Sequence, residues 1–250
     1  MMNKDYKFYQ SLGNWDFSDI KYEEVPREDE FEYFKWIRQY VKSESKCLDL
    51  GTGGGEKLLK YYPKVHTLIG IDYSPAMIKT AKENLEKSNR KDENISFIEM
   101  DISDLKFEDN SFDIVTARHT EINSKEIKRV LKPNGILIIE GVAKDDCLEL
   151  KEMVGRGQCF FDEIAIEKIE EEELKKSGFE FIENKMMILD EYYLDKNNLF
   201  ALLLKTPIVE NITEDEWLKI NEYVKLNETK DGKVKLKRRI YGFICLNTKK

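Results

Sequence analysis

This 250-residue sequence predicts an α/β fold built on a parallel sheet, and three observations point to it. Between about residues 46 and 140, short β-rich runs alternate with helical stretches, the pattern of successive βαβ units. Runs such as ILII at 136–139 are near-continuously apolar, as strands covered on both faces must be. A glycine cluster, DLGTGGGE at 49–56, follows the first run, where a strand must turn into a helix.

The first 45 residues hold Trp15, Phe17, Tyr22, Phe31, Tyr33, Phe34 and Trp36 among acids, with a helix expected over Glu28–Lys42. Two readings stand for this segment: packing against the flank of the core, or a lid over a ligand. Cys47–Leu50 opens the alternating series and is followed by a helix at Glu56–Tyr62. Thr67–Ile71 precedes a helix at Pro75–Ser88, which Ser74 caps and Pro75 opens, with Met77, Ile78, Ala81 and Leu85 at helical spacing. Ile95–Met100 leads into a turn and Phe112–Ala117 into a helix at Lys125–Leu131. After a turn at Pro133-Asn134-Gly135, Ile136–Glu140 closes the series.

The pattern changes beyond residue 141. Glu171 and Glu172 stand four residues ahead of Lys175 and Lys176, which supports a solvated helix ending at Gly178. Phe179–Leu189 reads as a strand, Asn197–Lys205 and Glu214–Leu226 as helices, and Val234–Leu246 as a closing strand. Two domains of organisation follow: an N-terminal segment 1–45, and a main domain 46–250 with a helical insertion at about 195–228.

Composition narrows the function. An apolar content of 41% supports a real core, and there is neither an 18-residue apolar run nor an apolar stretch behind the N-terminal charges. A cytoplasmic protein with no membrane span is expected. Cys47, Cys147, Cys159 and Cys245 form no CxxC, and His66 and His119 are the two histidines, so neither a disulfide nor a metal site is expected. A net charge of −8 argues against non-specific nucleic-acid binding by the bulk surface. Residues 225–250, however, carry nine Lys/Arg against two acids. They suit an RNA-facing edge, or an edge strand kept from pairing by its lysines.

Gly51, Gly53 and Gly55 are spaced G-x-G-x-G, and Glu56 stands where a nicotinamide-dinucleotide fingerprint needs its third glycine. Amides in such a loop, with a helix dipole behind them, suit an anionic group such as a carboxylate. Asp72 ends the next strand 21 residues after Gly51, at the distance where an acid accepts ribose hydroxyls. A helix cap is its other reading. Asp101, with Ile102 beside it, ends a third strand, where it suits an adenine amino group or a second cap.

LDLGTGGGE, the strand ending in Asp72, Asp101, FEDNSFDIVTARH and EIKRVLKPNGILIIE together resemble the successive motifs of class I S-adenosylmethionine-dependent methyltransferases, within them the branch labelled methyltransferase type 11. The likeness spans about residues 46–141. It implies a Rossmann-like, seven-stranded, mostly parallel sheet with helices on both faces, an antiparallel final hairpin and helices inserted between the last two strands. By resemblance the cofactor is S-adenosyl-L-methionine, with Gly51, Thr52, Gly53 and Gly55 wrapping its methionine part. Asp49 orders the loop and the ammonium, Asp72 holds the ribose, Asp101 and Ile102 face adenine, and the Ala117 backbone faces the amino group. Tyr73 and Met77 complete the expected set.

Methyl transfer rests mainly on positioning and exclusion of water, with a base needed only if the acceptor must lose a proton. His119, in Arg118-His119-Thr120-Glu121, is the first choice for that base; bonding a neighbouring carbonyl or packing under a lid is its other reading. Arg118 suits an anionic substrate or a salt bridge to Glu121. Trp15, Asp16 and Phe17 are the expected lid, since the family closes its site with N-terminal residues. A small-molecule acceptor is expected, in a monomer or homodimer. The competing readings are an RNA methyltransferase, a non-catalytic cofactor-binding protein, and a nicotinamide-dependent oxidoreductase, for which no Tyr/Lys pair can be placed.

Overall fold

The computed structural model describes residues 19–26 and 32–248. Its strands are β1 (Tyr22–Pro26), β2 (Lys46–Leu50), β3 (Thr67–Asp72), β4 (Ile95–Glu99), β5 (Phe112–Arg118), β6 (Leu131–Val142), β7 (Phe179–Tyr193) and β8 (Val234–Asn247). Its helices are α1 (Tyr33–Tyr40), α2 (Glu56–Tyr61), α3 (Pro75–Lys87), α4 (Ser124–Val130), α5 (Leu148–Val154), α6 (Ile166–Lys176), α7 (Lys196–Lys205) and α8 (Glu214–Asn227). The strands form one sheet in the order β1-β7-β8-β6-β5-β2-β3-β4.

From β4 to β6 every pairing is parallel. The chain runs outward from β2 through β3 to β4, and in the other direction from β5 to β6. The boundary between β2 and β5 is therefore the topological switch point, outside whose strand ends ligands bind in open α/β sheets. β8 runs against both neighbours. Asn247 reaches the Leu131 carbonyl at the start of β6 while Tyr241 abuts Gly141 near its end, and Phe181 meets Phe243 where Asp190 meets Lys235. This is the expected antiparallel hairpin.

β1 makes an eighth strand where seven are expected, pairing antiparallel with β7 from Tyr22↔Tyr193 to Pro26↔Leu189. Its sequence, YEEVP, has no alternation to announce a strand, and its partner is remote in the chain. Tertiary pairing alone makes it extended. The turn expected at Pro133-Asn134-Gly135 is a bulge inside β6: the register steps from Phe112↔Leu131 to Ile114↔Ile136, and Asn134 takes φ 61°.

The described residues divide into two compact units. One holds 32–141, Lys168–Lys185 and 241–248. Its interior is built from Leu48, Leu50, Leu68, Ile71, Val115, Leu137 and Ile138, with Met77, Ile78 and Ala81 of α3 and Ile127 and Val130 of α4 buried too. The other holds 19–26, Val142–Glu167 and Met186–Ile240. Its apolar cluster joins Leu150 and Val154 of α5, Leu199, Leu202 and Leu203 of α7, and Ile220, Tyr223 and Val224 of α8. Among the described residues no helix is long and apolar enough to cross a membrane.

Candidate functional site

The site begins where β2 ends. Asp49 stands opposite Thr116 in the β2–β5 ladder, at the switch point, and accepts the Thr116 hydroxyl at 2.7 Å. Burial pushes its carboxyl up to about 6. The Thr116 and Thr52 hydroxyls and the Arg118 guanidinium oppose that rise, and Asp72 adds to it.

The chain then turns through Gly51, Gly53 and Gly55 at φ 64°, 57° and 75°. Two of them leave no room for a Cβ unless a neighbour shifts. A Cβ on Gly51 would lie 2.5 Å from Thr120, so this glycine lets the loops after β2 and β5 close on one another. A Cβ on Gly55 would meet the Phe97 ring at 2.8 Å, where the loop enters α2. Thr52 N–H is tied to the Ile71 carbonyl at 2.9 Å, and Asn84 Nδ2 holds the Gly54 carbonyl at 2.8 Å.

Asp72 is buried, and each of its oxygens takes one backbone donor: Gly53 N–H at 3.0 Å and Ser74 N–H at 2.9 Å. Burial raises its pKa, and those two amides hold the rise in check. Asp72 thus braces the glycine loop directly, a role the ribose and cap readings did not include. Ser74 does the capping, accepting Met77 N–H at 3.4 Å. Met100 N–H donates to the Asp72 carbonyl at 3.0 Å, bringing the end of β4 beside the end of β3. Asp101, one residue on, is exposed and accepts Ser103 N–H at 2.7 Å, the turn-capping use open to an acid there. Ile102 and Tyr73 are half-buried. Met77 is a core residue, 1% exposed, and Ala117 lies inside the ladder between Leu50 and Ile139.

The loop after β5 carries the second group of charges. His119 takes φ 52°, uncommon for a side chain other than glycine, and its N–H donates to the Glu140 carbonyl at 2.8 Å. The Glu140 carboxylate is buried; one of its oxygens lies 2.6 Å from Arg118 Nε and 3.1 Å from His119 Nε2. Burial pushes that carboxyl up, but Arg118 and His119 outweigh it and hold Glu140 down at about 2. Arg118 therefore pairs with Glu140. Tyr33 of α1, 4% exposed, is held protonated by burial and by the charges of Asp49 and Glu140, with Arg118 acting the other way.

The structure thus gathers Asp49, Thr52, Gly53 and Asp72 on one side and Arg118, His119 and Glu140 on the other, with Thr116 and Tyr33 between. Glu140, Thr116 and Tyr33 are not among the residues singled out from sequence. Glu140 had a signal, as the one acid in the apolar run ILIIEGV. Tyr33 had none, being one aromatic among many. The expected lid, Trp15, Asp16 and Phe17, lies outside the described residues. Among the described residues no group of three or more His, Cys, Asp or Glu side chains could hold a metal ion.

The basic C-terminal run is not an edge. β8 lies between β6 and β7. Several cations of the run are also engaged: Lys233 with Glu23 and Lys235 with Asp190, both at 2.8 Å, Lys237 with Glu149, and Arg239 with Asp145. Arg238 is buried between Asp146 and Glu191.

A carboxylate has about four acceptor positions, and backbone amides fill two of those on Asp72. The remaining two suit ligand hydroxyls, and the raised Asp49 carboxyl nearby suits a cationic group. A ligand carrying both, such as an amino-acid-linked nucleoside with a positive sulfur, matches this set of acceptors.

A family model for the methyltransferase domain matches residues 41–180. The chain is 31% identical over 113 residues to the Uncharacterized methyltransferase YcgJ of Bacillus subtilis, covering 42% of this chain and 44% of that protein. It is 35% identical over 110 residues to the 2-phytyl-1,4-naphtoquinone methyltransferase of Trichormus variabilis, covering 40% and 47%. The chain thus spans less than half the length of these curated relatives. The crystal structure of YcgJ superposes with a TM-score of 0.59 at 17% identity, over 86% of this chain and 97% of that one, a likeness of fold.

Proposed function

This chain belongs to the methyltransferase-domain family, and from that premise we propose that it binds S-adenosyl-L-methionine and transfers its methyl group to a small molecule. The observation that carries the reading is the pairing of Asp72 with the glycine loop beside a desolvated Asp49 at the switch point. Asp72 would take the ribose hydroxyls on its two remaining acceptor positions. The loop from Gly51 to Gly55, with Thr52 and Asp49, would hold the methionine part. Asp101 and Ile102, at the end of β4, would border the adenine, with Tyr73, Met77 and the Ala117 backbone in the surrounding shell.

When bound, the cofactor supplies an electrophilic methyl on a positively charged sulfur. The chain's own part is to orient the acceptor, exclude water and receive the proton that an acceptor hydroxyl, amine or activated C–H must lose. We assign that proton to His119, at the end of β5. A quinone-type acceptor is named for the Trichormus relative, which supports the small-molecule reading. The pairing of Lys233, Lys235 and Arg238 with acids favours a small-molecule acceptor over RNA.

Calorimetry with S-adenosyl-L-methionine tests the first half: wild-type protein gives binding heat, and Asp72→Ala weakens the affinity tenfold or more. No heat from the wild type overturns the reading. Incubation with methyl-labelled cofactor and fractionated cell extract tests the second half. Label in the small-molecule fraction is the expected result, and label confined to RNA overturns it.

A further inference from the structure

Resting on the reading that this site binds S-adenosyl-L-methionine, we propose that the Tyr33 hydroxyl donates to the carboxylate of the methionine part and so makes the site selective for a nucleoside that carries an amino acid. Tyr33 opens α1, whose buried face is Tyr33, Trp36 and Ile37, at helical spacing. Phe34 meets the Tyr33 ring edge-on, with 5.2 Å between centroids. Packing thus fixes the ring, and residues 41–45 lead from α1 directly into β2, the strand that delivers Asp49. The hydroxyl is not provided for in this way. Tyr33 is 4% exposed, and among the described residues its oxygen has no hydrogen-bond partner. A buried hydroxyl left unpaired is destabilising, and a phenylalanine would pack the same space without that penalty. The oxygen therefore suits a partner that the chain itself does not supply.

The surroundings of the hydroxyl indicate what that partner is. The charges acting on it are those of Asp49 on β2, Glu140 at the C-terminal end of β6 and Arg118 at the end of β5. All belong to the same compact unit as Tyr33, and Asp49 lies at the switch point. Tyr62 also has a buried hydroxyl without a partner, but the side chain that acts on it most is Cys47, two residues back along β2 inside the ladder. Tyr33 is thus the buried tyrosine that faces the strand ends. Asp49, which accepts the Thr116 hydroxyl at 2.7 Å, suits an ammonium group. In an α-amino acid the ammonium and the carboxylate hang from one carbon, so a site that takes the first on Asp49 needs donors for the second close by. Arg118 is committed to Glu140 at 2.6 Å. Beside Asp49 stand the hydroxyls of Tyr33 and Thr52, both oxygens buried and both without a hydrogen bond. Thr52 belongs to the glycine loop, whereas Tyr33 brings a second element, α1, to the same group. Burial and the neighbouring acids keep Tyr33 protonated, so its O–H remains a donor, and donation to a charged acceptor is the stronger kind.

Calorimetry on the full-length protein with two compounds tests this: S-adenosyl-L-methionine, and its decarboxylated form, which keeps the positive sulfur and the ammonium and lacks the carboxylate. The wild type is expected to bind the first about tenfold or more tightly than the second. Tyr33→Phe keeps the ring and its packing. It is expected to weaken S-adenosyl-L-methionine about tenfold and to leave the decarboxylated compound within about twofold. A folded Tyr33→Phe that weakens both compounds alike, or neither, overturns the proposal. If that variant does not fold, Tyr33→Leu is read in the same way, and equal affinity of the wild type for the two compounds overturns the proposal without any variant. Failure here is distinct from failure of the function. A wild type that gives no heat with S-adenosyl-L-methionine overturns the cofactor reading itself, whereas a wild type that binds it, with Tyr33→Phe unselective, overturns the role of Tyr33 alone.

Discussion

Each of the two units buries a cluster of charge, and the clusters differ in how far their hydrogen bonds are completed. In the unit containing α5, α7 and α8, the Arg238 guanidinium meets both oxygens of Asp146 at 2.9 and 3.1 Å and both oxygens of Glu191 at 3.1 and 3.0 Å. Asp146 also accepts Arg239 N–H at 2.7 Å, and Tyr193 donates to Glu191. Burial raises the Asp146 carboxyl, but Arg238 and the Arg239 N–H bring it below its ordinary value. In the other unit, Asp49 has two hydroxyls and a single guanidinium nearby, one that Glu140 already engages, and its carboxyl is pushed up to about 6. A saturated cluster holds a fold together, whereas an unsaturated one is poised for a ligand.

The sharpest way to break this comparison is to remove the cation from the saturated cluster. Arg238→Met leaves two buried carboxylates facing each other and is expected to cost about 3–5 kcal/mol in urea unfolding. A loss under about 1 kcal/mol would show that the cluster does not hold its unit together. Next in size, with the opposite sign, is Asp49→Asn. The folded-state carboxyl of Asp49 sits above its unfolded value, so its contribution is complete below about pH 4 and is lost as pH rises through about 6. A rise of about two units corresponds to at most about 3 kcal/mol. Asp49→Asn is therefore expected to stabilise the ligand-free protein at pH 7–8 and to flatten its unfolding profile between pH 4 and 6. In calorimetry it should also weaken S-adenosyl-L-methionine. Glu140 behaves in the reverse sense: its depressed carboxyl contributes stability above about pH 4.3 that is lost as pH falls through about 2.

The difference between the clusters also explains what was legible in the sequence. Asp49, Asp72 and the glycines were legible because local spacing dictates them: a strand must end, a loop must turn with positive φ, and an acid must stand at the end of the next strand. The parallel core was legible for the same reason, since alternating apolar runs and helices are local patterns. Arg238 was not, and Glu140 showed only as the one acid in an apolar run, because what each does depends on partners elsewhere in the chain. Arg238 looked like one cation in a basic run until β8 proved to be an interior strand with Asp146 and Glu191 beside it. α5 escaped notice because seven residues, LELKEMV, are too few to establish a period. Asp72 was legible in position and incomplete in role, as its grip on Gly53 N–H becomes visible once the loop is folded back over it.

Gly51→Ala is a smaller perturbation, acting on the geometry of the site and not on its charge. Its Cβ would sit 2.5 Å from Thr120 at φ 64°, so the loops after β2 and β5 must separate. The expected cost is about 1–2 kcal/mol in thermal unfolding. Equal stability with unweakened cofactor binding would show that the two loops need not meet.

The smallest expected change in stability comes from the residue closest to the proposed chemistry. His119→Asn keeps a side chain that tolerates the left-handed φ of 52° and leaves the main-chain bond to Glu140 intact. The ring it removes is about one-third exposed. Arg118 remains on Glu140, so no buried carboxylate is stranded. Stability is expected to stay within about 0.5 kcal/mol of the wild type, while methyl transfer to an acceptor that must lose a proton falls by about 100-fold or more. A functional residue in an unsaturated cluster should be removable in this way, and Arg238 in the saturated one should not. If His119→Asn unfolds the protein as readily as Arg238→Met does, the two clusters are alike and the distinction drawn between them fails.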